Sequence, residues 1–545
     1  MQSLRHRVAG GLFVLTGSLM GGSSYYIDKE FGPETIPRMS TLYRVAIPGL
    51  LAYKKVQLLD DEWRRSLGLS VDEDELNRSY EKLHAEWAPR AFAVVLELRG
   101  FNLKTGQLVA SNFADAFPRE WQKIFEPLLD NVPPRDFATV KETVEREMGK
   151  SMDQVFSSFS TESLASASIG QVHRAVLREN GAHVVVKVMY PDVEGRFRGD
   201  LLAAKRFVGL AMPEHLEALR EIEKQFANEF DYRREAAQLD LVRNNLARAP
   251  AFKHIIVPKP YIHLCSKMVL VMEEVPNCEK LTSALEADMR FFAQRRGVSI
   301  DTFIQEERAK DEEALKNGHM RCGPTAIEME GHISKIRWSN WLGSFLGMKP
   351  SHVPLNHAQL VDELLSVHGH EVLIDGAFNG DPHPGNVLVS RLTPTSQPRL
   401  ALVDYGQVKI LPQHQRLALA RLIIALADAP QPPRRTDEIK IMSLMEAMGW
   451  KSEKSDASVI FANARLFFDR DDALITGGKN TQAYLESLEA RDRRIATGDD
   501  FVLVCRCSLM LRGLGHMLNQ HRSTAESWRH HAEKVIHDSK VEELR

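Results

Sequence analysis

An α+β fold in two lobes is predicted by three observations. The first is Gly380-Asp381-Pro382-His383-Pro384-Gly385-Asn386, followed eighteen residues after Asn386 by Asp404-Tyr405-Gly406. An Asp with an Asn five positions on, then Asp-aromatic-Gly after a β-rich segment, is the spacing of a phosphoryl-transfer site. The second is His183-Val184-Val185-Val186-Lys187-Val188, a β-branched strand carrying a single lysine, the pattern of a lysine that holds nucleotide phosphates. The third is helical periodicity on both flanks, over residues 39–150 and 412–545. A protein-kinase-like arrangement follows, with a helical extension in front and a helical tail behind.

Taken in order, residues 1–38 read as a leader. Arg5-His6-Arg7 precedes Val8 to Ile27, twenty residues without a formal charge that end at Asp28-Lys29-Glu30. A helix of that length spans about 30 Å, enough for a bilayer core. Basic residues ahead of an acid-free stretch fit a mitochondrial presequence or a signal anchor, with a secretory signal peptide as the competing reading. Gly17-Ser18-Leu19-Met20-Gly21 has small-x-x-x-small spacing for helix association in lipid. Residues 39–150 are predicted helical, with a turn at Asn131-Val132-Pro133-Pro134-Arg135.

Residues 151–276 supply the smaller lobe, with a first β region from Ala167 to Met189. The loop ahead of Lys187 reads Ala165-Ser166-Ala167-Ser168-Ile169-Gly170-Gln171-Val172-His173 where a protein kinase is glycine-rich. Alanine and serine restrict the backbone that glycine would leave free near phosphates, so the phosphates should be held differently. The lysine's carboxylate partner should lie on a following helix, and the segment Glu229 to Ala237 offers Glu229 and Glu235. Met268 to Glu274 reads as the strand leading to the interlobe hinge, which places Glu273 beside the adenine position.

Residues 277–411 carry the catalytic region. The segment near 289–351 looks like an insertion, holding a charged helix from Gln305 to Lys316 and then Trp338 and Trp341 beside Phe345-Leu346. Its charge run reads as a solvated face. Plain packing is the favoured role for the tryptophans, contact with a membrane or partner the other. Asp381 can orient or deprotonate a nucleophile, and Asn386 and Asp404 can ligate magnesium. Val387-Leu388-Val389 and Leu400 to Val403 read as two strands of one hairpin with a turn at 393–398. After Leu411 amphipathic helices run to the end, with a break at Pro430 to Pro433.

These motifs resemble the UbiB/ADCK (aarF domain-containing) group of atypical kinases. The resemblance rests on the alanine-rich loop, on Glu229-Phe230-Asp231-Tyr232-Arg233-Arg234-Glu235-Ala236, on Asp381 to Asn386 and on the modified metal motif at Asp404. It rests above all on Lys104-Thr105-Gly106-Gln107, the Lys-x-Gly-Gln signature of the family's N-terminal helical extension. The match runs from about Arg44 to Leu411, and Asp28 to Pro33 resembles the mitochondrial ADCK branch outside the ubiquinone-complex pair. The resemblance implies an atypical protein-kinase-like fold. Lys187 would pair with Glu235 and the phosphates, Asp381 would hold the base position, and Asn386 and Asp404 would bind Mg2+. Lys104 and Gln107 would approach ATP or ADP from a helix folded over the cleft, anchored by Glu229 and Asp231. It further implies weak ATPase activity linked to coenzyme Q or lipid handling, without phosphorylation of proteins in trans. Asn379 stands where many members have His, and Tyr405 replaces the Phe of the metal motif.

Composition bounds the alternatives. The chain has 545 residues and a formal charge of −3, which excludes an electrostatic footprint for nucleic acid. Its five cysteines lack C-x-x-C spacing and an even count, so reduced thiols are expected. The expected partners are a nucleotide, a lipid or quinone-like small molecule and a membrane; a homodimer stays open. Three functions remain on the sequence alone: an ATPase serving lipid or quinone handling, a small-molecule kinase, and a nucleotide-sensing pseudokinase scaffold.

Overall fold

The computed structural model describes residues 34–58, 63–68, 72–110, 118–129, 134–167, 169–211, 216, 220, 223, 229–393, 396–479 and 481–543. Residues 1–33 of the leader, with the 8–27 stretch, the Gly17–Gly21 spacing and Asp28 to Pro33, lie outside the described residues, as do residues 131–133 of the expected turn and Ser168; residues 34–38 are described, and α1 already begins at Thr35. The chain divides into two compact units, Met1–Tyr232 with Leu264–Val271, and Arg233–His263 with Met272–Arg545.

Among the described residues of the first unit four longer helices come first: α1 (Thr35–Lys55), α2 (Glu73–Leu98), α3 (Gly100–Ala110) and α4 (Arg119–Phe125). Leu103 and Val109 of α3 are buried with Phe125 and Leu128. That approach explains the glycine of Lys104-Thr105-Gly106-Gln107. A Cβ at Gly106 would stand 2.5 Å from Leu128 Cδ1 and 3.0 Å from Val95 Cγ1, inside van der Waals contact. Helix α5 (Phe137–Met148) starts where the Asp136 carboxylate accepts from the Thr139 N–H and stops at Gly149, φ +64°, a side-chain N-cap and a left-handed C-terminal stop.

The sheet of this unit runs β1 (Phe156–Phe159), β3 (Gly170–Leu177), β4 (His183–Met189), β5 (Val269–Glu273), with β2 (Ala165–Ser166) pairing off β3. β3 and β4 are antiparallel, Val172 opposite Lys187. Val184, Val186, Val269, Leu270 and Val271 are all fully buried. β-branched residues pack well on such a pleated surface, and Lys187 is the one half-buried position among them. Helix α6 (Val193–Ala211) follows, and Asp200 on it accepts from Arg38 at 2.8 Å and from Asn102 at 3.0 Å. Helix α7 (Tyr232–Ala247) begins three residues later than expected, so Glu229 stands in the turn before it, not on the helix. Its first residue closes the first unit.

The second unit starts from the rest of α7 and passes through β6 (Cys278–Lys280), α8 (Leu281–Arg296), α9 (Ile300–Lys316), α10 (Ala326–Phe345) and α11 (His357–His370). Helix α9 is capped by Ser299 and α10 by a reciprocal box between Thr325 and Glu328. A π-helical turn, Glu371–Asp375, leads into β7 (Ala377–Asn379). Strands β8 (Val387–Ser390) and β9 (Arg399–Leu402) form the expected hairpin, Val387 opposite Leu402, with β6 along the outer side of β8. β10 (Val408–Ile410) pairs with β7, Val408 opposite Asn379. Six longer helices complete the unit: α12 (Gln413–Asp428), α13 (Arg435–Ala447), α14 (Ala457–Phe468), α15 (Thr481–Arg491), α16 (Asp499–Met517) and α17 (Thr524–Glu543). The gap after α12 is the predicted proline break. Among the described residues no helix is long and apolar enough to cross a membrane, and all five cysteines are free thiols, as expected.

Candidate functional site

In the first unit the described residues of the alanine-rich loop belong to the pairing of β2 with β3. Ala165 pairs with Val172 and Ser166 with Gln171, and the Ala167 N–H donates to the Gly170 carbonyl at 2.8 Å. A Cβ on Gly170 would stand 2.5 Å from the Val188 carbonyl oxygen, so glycine is needed for two strands to close. The polar residues that follow are structural. Buried Gln171 accepts from the Arg135 N–H at 2.8 Å and from the Tyr190 hydroxyl at 3.1 Å, and its amide nitrogen lies 2.9 Å from His173 Nε2. His173 Nδ1 lies 2.9 Å from the Ser160 carbonyl. That partner makes Nδ1 the protonated nitrogen, and burial lowers the imidazole pKa against the carbonyl's pull upward. Ser166 Oγ is 3.0 Å from the Tyr190 hydroxyl.

Lys187 projects from the middle of β4 with its ammonium 5.0 Å from the Tyr232 ring centroid, a cation–π distance. On α3, Lys104 Nζ forms an ion pair with Glu229 Oε1 at 3.7 Å. One turn along, Gln107 Nε2 donates to the Leu128 carbonyl at 2.9 Å. Glu229 therefore ties the Lys104 helix to the segment ahead of α7.

In the second unit Glu235 lies in the first turn of α7, buried, with Oε2 at 3.7 Å from the place a Gly406 Cβ would take. Asp404 Oδ1 lies 3.3 Å from the same point. Two carboxylates thus flank Gly406. Glu273, at the end of β5, donates its N–H to the Lys259 carbonyl at 2.9 Å and accepts from the Lys259 N–H at 3.0 Å.

Two of the motif's residues, Asp381 and Asp404, meet through one neighbour, Asn379. Asn379 Nδ2 donates to the Asp404 carbonyl at 2.8 Å, while its Oδ1 accepts from the Asp381 N–H at 2.9 Å. The Val403 N–H donates to the Asn386 carbonyl at 3.3 Å, so Asn386 and Asp404 leave the hairpin side by side. Gly406 donates to Asp404 Oδ1 at 2.9 Å. Among the described residues no three His, Cys, Asp or Glu side chains group as a metal site. An amide and a carboxylate oxygen are the sparse, hard donor set that suits Mg2+, which takes its remaining ligands from phosphates and water.

Two features escape the motif. Arg506 on α16 donates from Nη2 to Asp381 Oδ1 at 2.9 Å, and its helix packs Leu503 3.5 Å from the place of a Gly380 Cβ. The second feature explains Tyr405. Its hydroxyl donates to Glu371 Oε1 at 2.8 Å, and Glu371 Oε2 accepts from the Asn379 N–H at 3.4 Å. Burial pushes the Glu371 carboxyl up to about 7, the hydrogen bond from Tyr405 acting against it. Burial and then Glu371 itself raise nearby Asp375 to about 7. A buried phenol needs an acceptor, so tyrosine at the metal motif is the sequence signal for this pair. Nothing local signals Arg506.

A family model described as the ABC1 atypical kinase-like domain matches residues 127–296 and 349–431. A probable protein kinase UbiB of Enterobacter is 27% identical over 397 residues, covering 71% of this chain and 57% of that protein. One from Cronobacter sakazakii is 34% identical over 374 residues, 67% and 55%. AarF domain-containing protein kinase 1 of Xenopus laevis is 24% identical over 419 residues, 76% and 65%. The chain thus spans little more than half the length of the curated bacterial relatives it matches. The solved Rv3197–erythromycin complex from Mycobacterium tuberculosis gives a TM-score of 0.41 at 20% identity, covering 82% of this chain and 98% of that one. With an ABC1 atypical kinase-like domain and relatives of these two kinds, the chain belongs to the UbiB/ADCK family of atypical kinases.

Proposed function

We propose that the chain is an atypical kinase-like ATPase that binds a Mg-nucleotide and supports coenzyme Q or lipid homeostasis at a mitochondrial, inner-membrane-associated site. The observation that carries the nucleotide half is the Asn379 clamp. It fastens Asp381 and Asp404 through one side chain, at 2.9 and 2.8 Å, where Asn386 leaves the same hairpin. Asn386 and Asp404 would hold Mg2+, which neutralises phosphate charge. Lys187 would bind the phosphates, with Glu235 as its carboxylate partner. Ala165 to Ser168, Glu273, Lys104 and Gln107 complete the nucleotide site in this reading. The quinone or lipid half and the location rest on the family resemblance and on the character of residues 8–27.

A second reading, a nucleotide-sensing scaffold, draws on the ion pair between Arg506 and Asp381, which occupies the base. One experiment addresses both. Thermal stability is measured with Mg-ATP, Mg-ADP or nucleotide plus EDTA, for wild type and Asp404→Asn. Stabilisation that needs magnesium and vanishes in Asp404→Asn is expected, since ligand binding to the folded state raises stability by mass action. Unchanged affinity in the variant would overturn the metal assignment, and no shift under any condition would overturn nucleotide binding. Magnesium-dependent stabilisation without ATP turnover would favour the scaffold.

A further inference from the structure

Helix α10 carries two apolar stripes, and among the described residues only one is covered. Met329 and Ile333 are buried, with Ile336 packed against them, and Asn340 is buried at the end of the same face. Asn340 donates from Nδ2 to the Ser351 carbonyl at 2.7 Å and accepts from the Ser351 N–H at 2.8 Å, fastening the returning loop to the helix. The opposite face presents Trp338, Trp341, Leu342 and Phe345, at the i, i+3, i+4, i+7 spacing of one helical stripe. Trp338 is 63% exposed, Trp341 58% and Phe345 67%. Leu346 and Met348 add 72% and 64% from the loop. The expectation that the tryptophans pack inward is thus overturned: the stripe that seals the core is the one through Ile333.

Aromatic side chains carry roughly 150–250 Å2 of surface each, so the three rings alone leave on the order of 300–450 Å2 uncovered. The leucines and Met348 take the patch past what monomeric proteins commonly expose. Trp341 and Phe345 stand edge to face, centroids 4.9 Å apart, one contiguous surface.

The charge around the patch selects its occupant. Residues 331–361 contain Lys335, Arg337 and Lys349 and no acid at all, although the chain as a whole is slightly acidic. Lys335 and Lys349 are exposed, whereas Arg337 is ion-paired with Glu330 at 2.9 Å. Tryptophan, phenylalanine and leucine flanked by exposed lysines in an acid-free stretch is the chemistry of an anionic lipid interface. Indole rings settle at headgroup depth, and lysines gain from anionic headgroups. The patch also lies within 297–348, the stretch between the two segments that the ABC1 family model matches.

We propose that the end of α10 and the loop to Lys349 dock on an anionic lipid bilayer, with Trp338, Trp341, Phe345 and Leu346 entering the interface and Lys335 and Lys349 meeting the headgroups. This deepens the membrane half of the reading above and does not depend on nucleotide binding.

The test is partition of the full chain onto vesicles of phosphatidylcholine alone or mixed with phosphatidylglycerol, together with quenching of tryptophan emission by brominated lipid. Wild type should prefer the mixed vesicles and be quenched. Trp338→Ser/Trp341→Ser/Phe345→Ser should bind about tenfold or more weakly, and Lys335→Glu/Lys349→Glu should lose the anionic preference, again about tenfold. If residues 1–33 hold every variant on the vesicle, quenching decides. Equal quenching of wild type and the triple variant, or equal binding to both vesicle types, overturns the proposal. So does a wild-type dimer that the triple variant dissolves while vesicles are ignored, because the occupant is then a second copy. A Mg-ATP thermal shift retained in the triple variant certifies its fold. Its absence in wild type would sink the nucleotide reading and leave the partition result standing.

Discussion

Replacing Glu371 by glutamine removes one ionisation and keeps the shape. In the wild type the Glu371 carboxyl is fully buried, accepts from the Tyr405 hydroxyl at 2.8 Å, and is pushed up to about 7 from 4.5. Between those values the folded chain holds a proton that the unfolded chain has released. The contribution of this carboxyl is therefore fully present below about pH 4.5 and is lost as pH rises through about 7. A shift from 4.5 to about 7, at roughly 1.4 kcal/mol per pH unit, amounts to on the order of 3 kcal/mol. The substituted amide would still accept from Tyr405 and would not titrate. The quantity to follow is thus the stability of Glu371→Gln minus that of wild type, from denaturant unfolding at a series of pH values. It should grow in favour of the variant by about 3 kcal/mol between pH 4.5 and pH 7.5. Taking the difference cancels the opposing slope from buried histidines such as His531, lowered to about 3, and His368, lowered to about 4, both mainly by burial. A difference that stays flat with pH would refute the argument that Glu371 is held protonated by its surroundings.

Other perturbations follow from the same geometry. Asn379→Ala leaves the Asp404 carbonyl and the Asp381 N–H without their shared partner. At roughly 1–3 kcal/mol per group left unpaired, it should cost about 2–6 kcal/mol in unfolding and abolish the Mg-ATP thermal shift. Arg506→Met frees the Asp381 carboxylate and should raise ATP turnover roughly fivefold, about 1 kcal/mol of barrier, with Arg506→Lys closer to wild type. Turnover unchanged or lower in a variant with a normal melting temperature would remove Arg506 from any hold on the base. Gly170→Ala forces a Cβ to 2.5 Å from a backbone oxygen. It should destabilise by about 1–3 kcal/mol, read by chemical denaturation, and a neutral result would show that β3 and β4 can separate there.

The parts of this molecule that were legible in the sequence are those written in local spacing. The β8–β9 hairpin follows from two short apolar runs with Asn386 and Asp404 at their ends, and Lys187 from a strand that tolerates one polar residue. The ion pair of Lys104 with Glu229 agrees with the Lys-x-Gly-Gln resemblance, which named both residues. What stayed hidden depends on partners far along the chain. Arg506 meets Asp381 across 125 residues and Tyr405 meets Glu371 across 34, with no periodicity to mark either meeting. Strand β1 was missed because Phe-Ser-Ser-Phe is too short to alternate visibly, and the start of α7 was set too early because Glu229 to Asp231 is as polar as the helix after it. On α10 both faces carry helical spacing, and spacing cannot say which stripe finds a neighbour.

The side chain of Asn379 gives the two halves of the candidate site a shared fate. Asp381 and Asp404 belong to different loops, yet one amide is fastened to both. A substitution at 379 would loosen the proposed base and the proposed metal ligand in a single step while every residue of the signature motifs stayed in place. Scanning relatives for intact Asp, Asn and Asp would count such a chain as competent. Whether this chain keeps its candidate site is therefore better judged from residue 379 together with Asp381 than from the aspartate alone.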